Sequence, residues 1–289
     1  MAVNIKLLIQ PTAKARLVVF TNKQFHTYME KITFEYQPFR FLKYRRKIKG
    51  AFPSTFTELT PKQFLAVVKL ANGRISETGF LKIMTGIPKF YIKRSSSFDR
   101  YNLMELFAPF TEIKPHSHFI IPEISHYSSI FCSPKYRLAQ VSFGQFIFIE
   151  SYFTDYQNDE KNTLALHKFV ASLYLIKNQP FSQQEIAANA AIISKVKPEI
   201  LQAIVLNYVL VKKWLAESYP MLFQQDDEPD DDTEAPIKKH RKPANSQWLK
   251  IFENVVGDDL VNHDRYALLP IHTVLRWMTM RIVDNMKRK

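Results

Sequence analysis

Cysteine is almost missing. Cys132 stands alone in 289 residues, so neither an intrachain disulfide nor a Cys-rich zinc site can form. A chain without disulfides fits a reducing compartment. Glycine is scarce as well. Gly50, Gly73, Gly79, Gly86, Gly144 and Gly257 are the full set, and no two are spaced to cradle a phosphate. The absence of GxGxxG and GxxxxGK[ST] patterns counts against Rossmann and P-loop nucleotide binding. It also disfavours a fold of many tight hairpins, whose favoured turns need positive φ. No run approaches the roughly 18 apolar residues of a membrane helix. Pro11, Lys14 and Arg16 break the N-terminal apolar patches, so that segment is not read as a signal peptide. A cytoplasmic protein, or one carried in an assembled particle, is expected, with no membrane partner.

What is present points to a folded chain. Hydrophobic residues make up 46%, which is globular rather than disordered. With 23 Phe and 13 Tyr, the core is expected to be largely aromatic. A net charge of +13 favours an anionic partner: nucleic acid, an acidic protein surface or headgroups.

Four segments follow from composition. Residues 1–50 form a basic arm or small β element, with eleven Lys and Arg against Glu30 and Glu35. Leu17–Phe20 and Ile32–Tyr36 are short β-prone runs. Residues 51–223 read as a helical core domain. Thr60, Pro61 and Gln63 make a capping box with proline in the first turn, and Asn72-Gly73 closes that helix. Further helices are expected from Ser76 to Thr85 and after Ser97, the latter with Tyr101, Met104 and Phe107 inward. Residues 109–140, punctuated by prolines, read as a long connection.

Val141–Ile176 is the centre of the pattern. Its first helix is apolar on nearly every face and should be buried nearly all round. Ser142 with Gln145, and Ser182 with Glu185, read as two more capping boxes. The helix after Lys161 is expected to run to about Asn178, and a long one to open at Pro198. Residues 224–246 form a charged linker of disordered composition, acidic and then basic. Residues 247–289 form a C-terminal helical hairpin with Ile271, Val274, Leu275, Met278 and Ile282 on one face. The fold class is therefore mainly α: a multi-helix core, a small β or extended N-terminal element and a tethered helical hairpin.

The candidate chemistry is sparse. His116, His118 and His126 lie near Glu123 and Cys132, the right ligand types for zinc but at the wrong spacing. Asp258, Asp259, His263 and Asp264 cluster after Gly257 and read better as caps and turns than as acid–base groups. Glu150 and His167 would pair if both faced the core, more often a structural than a catalytic arrangement. No catalytic, metal or cofactor site is assigned.

The stretch Phe39-Arg-Phe-Leu-Lys-Tyr-Arg-Arg-Lys-Ile-Lys49 interleaves cations with aromatics. Arg40, Lys43, Tyr44, Arg45, Arg46, Lys47 and Lys49 are the candidate contacts to nucleic acid or another anion. A half-buried basic strand has the same pattern. Lys89–Arg94 is a weaker patch of this kind.

Phe52–Phe64, Val141–Phe146, Leu166–Tyr174 and Trp214–Phe223, with the acidic linker and a Trp-containing helical C-terminus, resemble helical proteins of phage and prophage tail-morphogenesis gene clusters. The resemblance implies a tail-assembly or particle-structural protein and carries no catalytic residues. The expected function is a non-enzymatic structural or assembly protein working by protein–protein contact. Its partners would be other proteins of the assembly, self-association included. A nucleic-acid-binding protein using residues 39–49 is the first alternative, an enzyme with an unrecognised site the second.

Overall fold

β1 (Glu30–Tyr36) pairs antiparallel with β2 (Arg46–Phe52), setting Ile32 opposite Gly50 and Glu35 opposite Lys47. The computed structural model describes residues 30–36, 38, 44–126, 129–223, 245–257 and 259–287. The expected strand at Leu17–Phe20, the candidates Arg40 and Lys43, Asp258 and nearly all of the charged linker lie outside these residues. The chain is mainly α, as its composition implies. Among the described residues, α-helices far outnumber two small antiparallel sheets, β1-β2 and β3-β4-β5. The chain divides into two units, with the boundary between Lys114 and Pro115.

Unit 1 joins the β1-β2 hairpin to α1 (Pro61–Ala71), α2 (Glu77–Thr85), α3 (Lys89–Arg94) and α4 (Ser97–Glu105). The Thr60 hydroxyl accepts from the Gln63 N–H at 3.3 Å, and the Gln63 side chain accepts from the Thr60 N–H at 3.0 Å. These bonds satisfy first-turn donors that the helix cannot. Gly73, at φ 66°, ends α1 in the left-handed region that glycine enters without penalty. Phe52, Phe56, Phe80, Phe107 and Phe110 fill the core edge to face, with Phe80 and Phe107 centroids 5.3 Å apart. In α4 it is Leu103 that is buried; Tyr101, expected inward, is 39% exposed. The Lys89–Arg94 patch is a short helix.

Unit 2 contains α5 (Phe143–Asn158), α6 (Thr163–Leu173), α7 (Ile186–Ile193), α8 (Pro198–Ser218), α9 (Asn245–Val256), α10 (His263–Leu268) and α11 (Ile271–Lys287). It also holds β3 (Glu123–His126), β4 (Ser129–Cys132) and β5 (Leu175–Ile176). The expected long connection thus contains a hairpin. β4 also recruits β5, so α6 stops at Leu173 rather than near Asn178.

α5 is the buried centre: Phe143, Phe146, Ile149 and Phe153 are almost fully enclosed. Phe153, Phe169 and Tyr208 meet tilted or edge to face at 5.0–5.2 Å, joining α5, α6 and α8. The Ser142 hydroxyl caps α5, but no capping box closes. The Gln145 side chain instead donates to the Ser172 carbonyl of α6 at 2.9 Å. Ser182 makes no cap bond; a single 3-10 turn leads into α7.

The C-terminal helices pack on the start of α5. Trp248 meets Phe146 edge to face at 5.0 Å, and Phe252 meets Phe143 at 5.7 Å. The Phe143 N–H donates to the Leu269 carbonyl at 2.8 Å, and the Ile271 N–H to the Val141 carbonyl at 3.0 Å.

Candidate functional site

Three places in the structure collect chemistry: the exposed face of the hairpin in unit 1, a buried carboxylate in unit 2, and an arginine-lined pocket in unit 2.

On the hairpin, Tyr44, Arg45, Arg46, Lys47 and Lys49 are all exposed. Glu35, opposite Lys47 in the ladder, lies 3.9 Å from the Lys47 ammonium and 3.8 Å from Arg45. At such exposure each pair contributes about 0–1 kcal/mol, so Glu35 tempers the positive field without ordering it. The Arg46 guanidinium sits over the Tyr44 ring at 5.6 Å, and hydrogen bonding to Tyr44 raises its pKa. Tyr36 contacts Tyr91 at 4.6 Å, so α3 packs on the strand face that carries Tyr36 and Arg46, opposite the face of Lys47 and Lys49.

The buried carboxylate is Glu150. It does not pair with His167, as the sequence suggested. Tyr208 donates to it at 2.5 Å and the Lys212 ammonium at 2.7 Å. Burial, with Glu150 alongside, pushes the Tyr208 phenol well above its ordinary value. Both oxygens of Glu150 are engaged, which suits a closed structural pair. His167 lies half-buried on α6, with its pKa lowered by desolvation.

The histidine-rich segment also resolves. The His116 N–H donates to the Leu210 carbonyl at 3.1 Å, and the Asn207 side chain donates to the His118 carbonyl and accepts from the Ile120 N–H. The segment is thereby strapped to α8. The His116 and His118 rings lie 4.1 Å apart. Burial first, then His118, holds the His116 pKa down at about 4. Among the described residues no three metal-ligating side chains converge. Asp259 accepts from Asn262 and Tyr266, a turn as expected, while His263 and Asp264 form an exposed contact at 3.5 Å.

The pocket was not legible in the sequence. It has a volume of about 580 Å³ and lies between the end of α8, the start of α11 and the turn at Tyr136–Leu138. Trp214, Tyr219, Tyr136 and His272 supply rings; Arg137 and Arg276 supply charge. Arg137 and Leu138 both adopt left-handed backbone, at φ 60° and 56°. That costs roughly 1–2 kcal/mol for each non-glycine residue. The conformation is fixed from two sides. The Arg137 N–H donates to the Ser117 carbonyl at 2.7 Å, and the Arg137 carbonyl accepts a short hydrogen bond from His272 Nε2. With Nε2 donating, His272 Nδ1 accepts from the Tyr219 hydroxyl at 2.8 Å. The Arg137 guanidinium lies over Tyr136 at 4.8 Å and Trp214 at 5.7 Å.

Comparison with protein-family models, with curated proteins and with solved structures gave no match. Among the described residues no helix is long and apolar enough to cross a membrane.

Proposed function

We propose that the chain is a non-enzymatic structural or assembly protein acting through protein–protein contacts, in a phage-like particle or its assembly. The observation that carries this reading is α11. Its apolar stripe begins in the core, with Ile271, Val274 and Leu275 buried. It continues along the same face through Met278 and Ile282, half-exposed, to Met286, 59% exposed. Helical spacing of apolar residues past the point where the protein covers them supports a partner surface. Methionine suits a contact that must adapt to its partner.

The test substitutes Ile282→Ser and Met286→Ser together, beyond the buried half of the helix. Size-exclusion chromatography with light scattering should show loss of self-association or of complexes with neighbouring gene products. A wild-type protein that is strictly monomeric and captures none of those products sinks the reading.

The exposed residues Tyr44, Arg45, Arg46, Lys47 and Lys49 support a second reading, nucleic-acid binding. It predicts binding of DNA or RNA that falls steeply with salt and is weakened by reversing Arg45, Arg46 and Lys47 to Glu. No binding at low salt removes it.

A further inference from the structure

We propose that the pocket between α8 and α11 of unit 2 binds a carboxylate-bearing segment of a partner protein, with Arg137 and Arg276 as its oxyanion contacts. This rests on the reading that the protein works by protein contact, and it names the chemistry of one contact.

The first ground is unspent charge. Among the described residues no carboxylate lies within the 4.0 Å ion-pair distance of either guanidinium. With no acid beside them among the described residues, two arginines lining one pocket repel each other, and an anion relieves that repulsion.

The second ground is orientation. The Arg137 guanidinium sits over the Tyr136 ring at 4.8 Å and the Trp214 ring at 5.7 Å. Its hydrogen-bonding edge is where a carboxylate binds with two parallel N–H···O bonds. Arg137 is also placed with unusual care. A left-handed backbone at two successive non-glycine residues is kept by hydrogen bonds from two other parts of the unit, Ser117 and His272. Strain maintained in this way is found where a side chain must be aimed.

The third ground separates a peptide from a nucleic acid. Single-stranded nucleic acid stacks its bases on free aromatic faces. Here most of the ring surface is engaged: Tyr219 stacks on His272 at 5.8 Å, Trp214 meets His272 edge to face at 6.0 Å, and Arg137 lies over one face each of Tyr136 and Trp214. What the pocket offers is charge edged with apolar carbon, which suits an acidic side chain beside an aromatic or aliphatic one. A volume of about 580 Å³ holds one or two such side chains rather than a folded surface.

The experiment is calorimetric titration of the full chain with the peptide acetyl-Glu-Phe-Asp-Phe-Glu-amide, and separately with a thymidine hexanucleotide, at low salt. Arg276→Gln is exposed and should leave the fold intact. Arg137→Asn keeps a residue that tolerates the left-handed backbone. Each variant should weaken peptide binding at least tenfold and the double variant should abolish it, while Arg281→Gln on the same helix leaves it unchanged. If Arg137→Asn fails to fold by circular dichroism, Arg276→Gln carries the test. The proposal is overturned if the peptide does not bind, if binding survives loss of both arginines, or if the hexanucleotide binds more tightly through them. Partner complexes that persist in the double variant overturn the pocket assignment and leave the assembly reading intact. Absence of any complex in the wild-type protein removes the assembly reading instead.

Discussion

Lys212 of α8 places its ammonium 2.7 Å from the buried carboxylate of Glu150 on α5. The carboxylate side chain is 4% exposed and the lysine 31%, so one charge is enclosed and its partner retains some water. Lys212→Met should therefore leave an uncompensated buried charge and cost about 3 kcal/mol, the lower end for breaking a buried pair. Adding Glu150→Gln should restore most of the loss, because the charge that needed compensation is gone. Urea denaturation of the two single variants and the double variant measures this. A cost below about 1 kcal/mol for Lys212→Met would mean that water reaches Glu150.

His116 predicts a pH dependence. Burial and then His118 lower its pKa from 6.5 to about 4, and desolvation lowers His118 in the same direction. Between those values the unfolded chain binds a proton that the folded chain refuses. The contribution of His116 to stability should hold above pH 6.5, fall as the pH drops toward 4, and level off below that. Urea midpoints for wild type and His116→Asn between pH 7 and pH 4.5 check this. Parallel curves would show that another group sets the slope.

Gly50 predicts a steric cost. A Cβ there would lie 2.7 Å from Ile87 Cδ1 and 3.0 Å from the Thr85 carbonyl, and the second of these cannot swing away. Gly50→Ala should destabilise unit 1 by about 1–3 kcal/mol. The thermal midpoint is the readout, and no loss would mean that β2 shifts off α2 without cost.

Tyr174 predicts a hydrogen-bond cost. Its hydroxyl is buried and donates to the Ile121 carbonyl at 2.7 Å. Tyr174→Phe leaves that carbonyl without its donor and should cost about 1–3 kcal/mol. Amide exchange of the β4 hydrogen bonds should quicken in parallel if this bond anchors the small sheet. Unchanged exchange would confine the effect to α6.

The legible parts of this fold are those whose cause is local. The Thr60–Gln63 box, the Gly73 cap and the opening of α8 at Pro198 are written within a few residues, and each is in place. Gln145 shows where local reading fails. Its capping partner lay three residues away, yet its side chain took the Ser172 carbonyl on a neighbouring helix. The β3-β4-β5 sheet was hidden for a similar reason. Its strands have four residues or two, too few to show a period, and β5 follows a helix without a break. The pocket was the least legible feature. Its two arginines sit on different elements, and no glycine marks the left-handed backbone at Arg137. Of the basic contacts expected in residues 39–49, those described are exposed, and Glu35 had not been expected beside them.

The bonds from Phe143 to Leu269 and from Ile271 to Val141 have a consequence for the order of synthesis. On a ribosome, the start of α5 emerges well over a hundred residues before the segment that completes it. Until then Phe143 and Phe146 have no Phe252 or Trp248 to cover them. Unit 1 ends at Lys114 and can fold while the rest is still being made. Unit 2 closes only after Leu269 and Ile271 have emerged, and in the interval its most aromatic helix is open to chaperones or to the wrong partner.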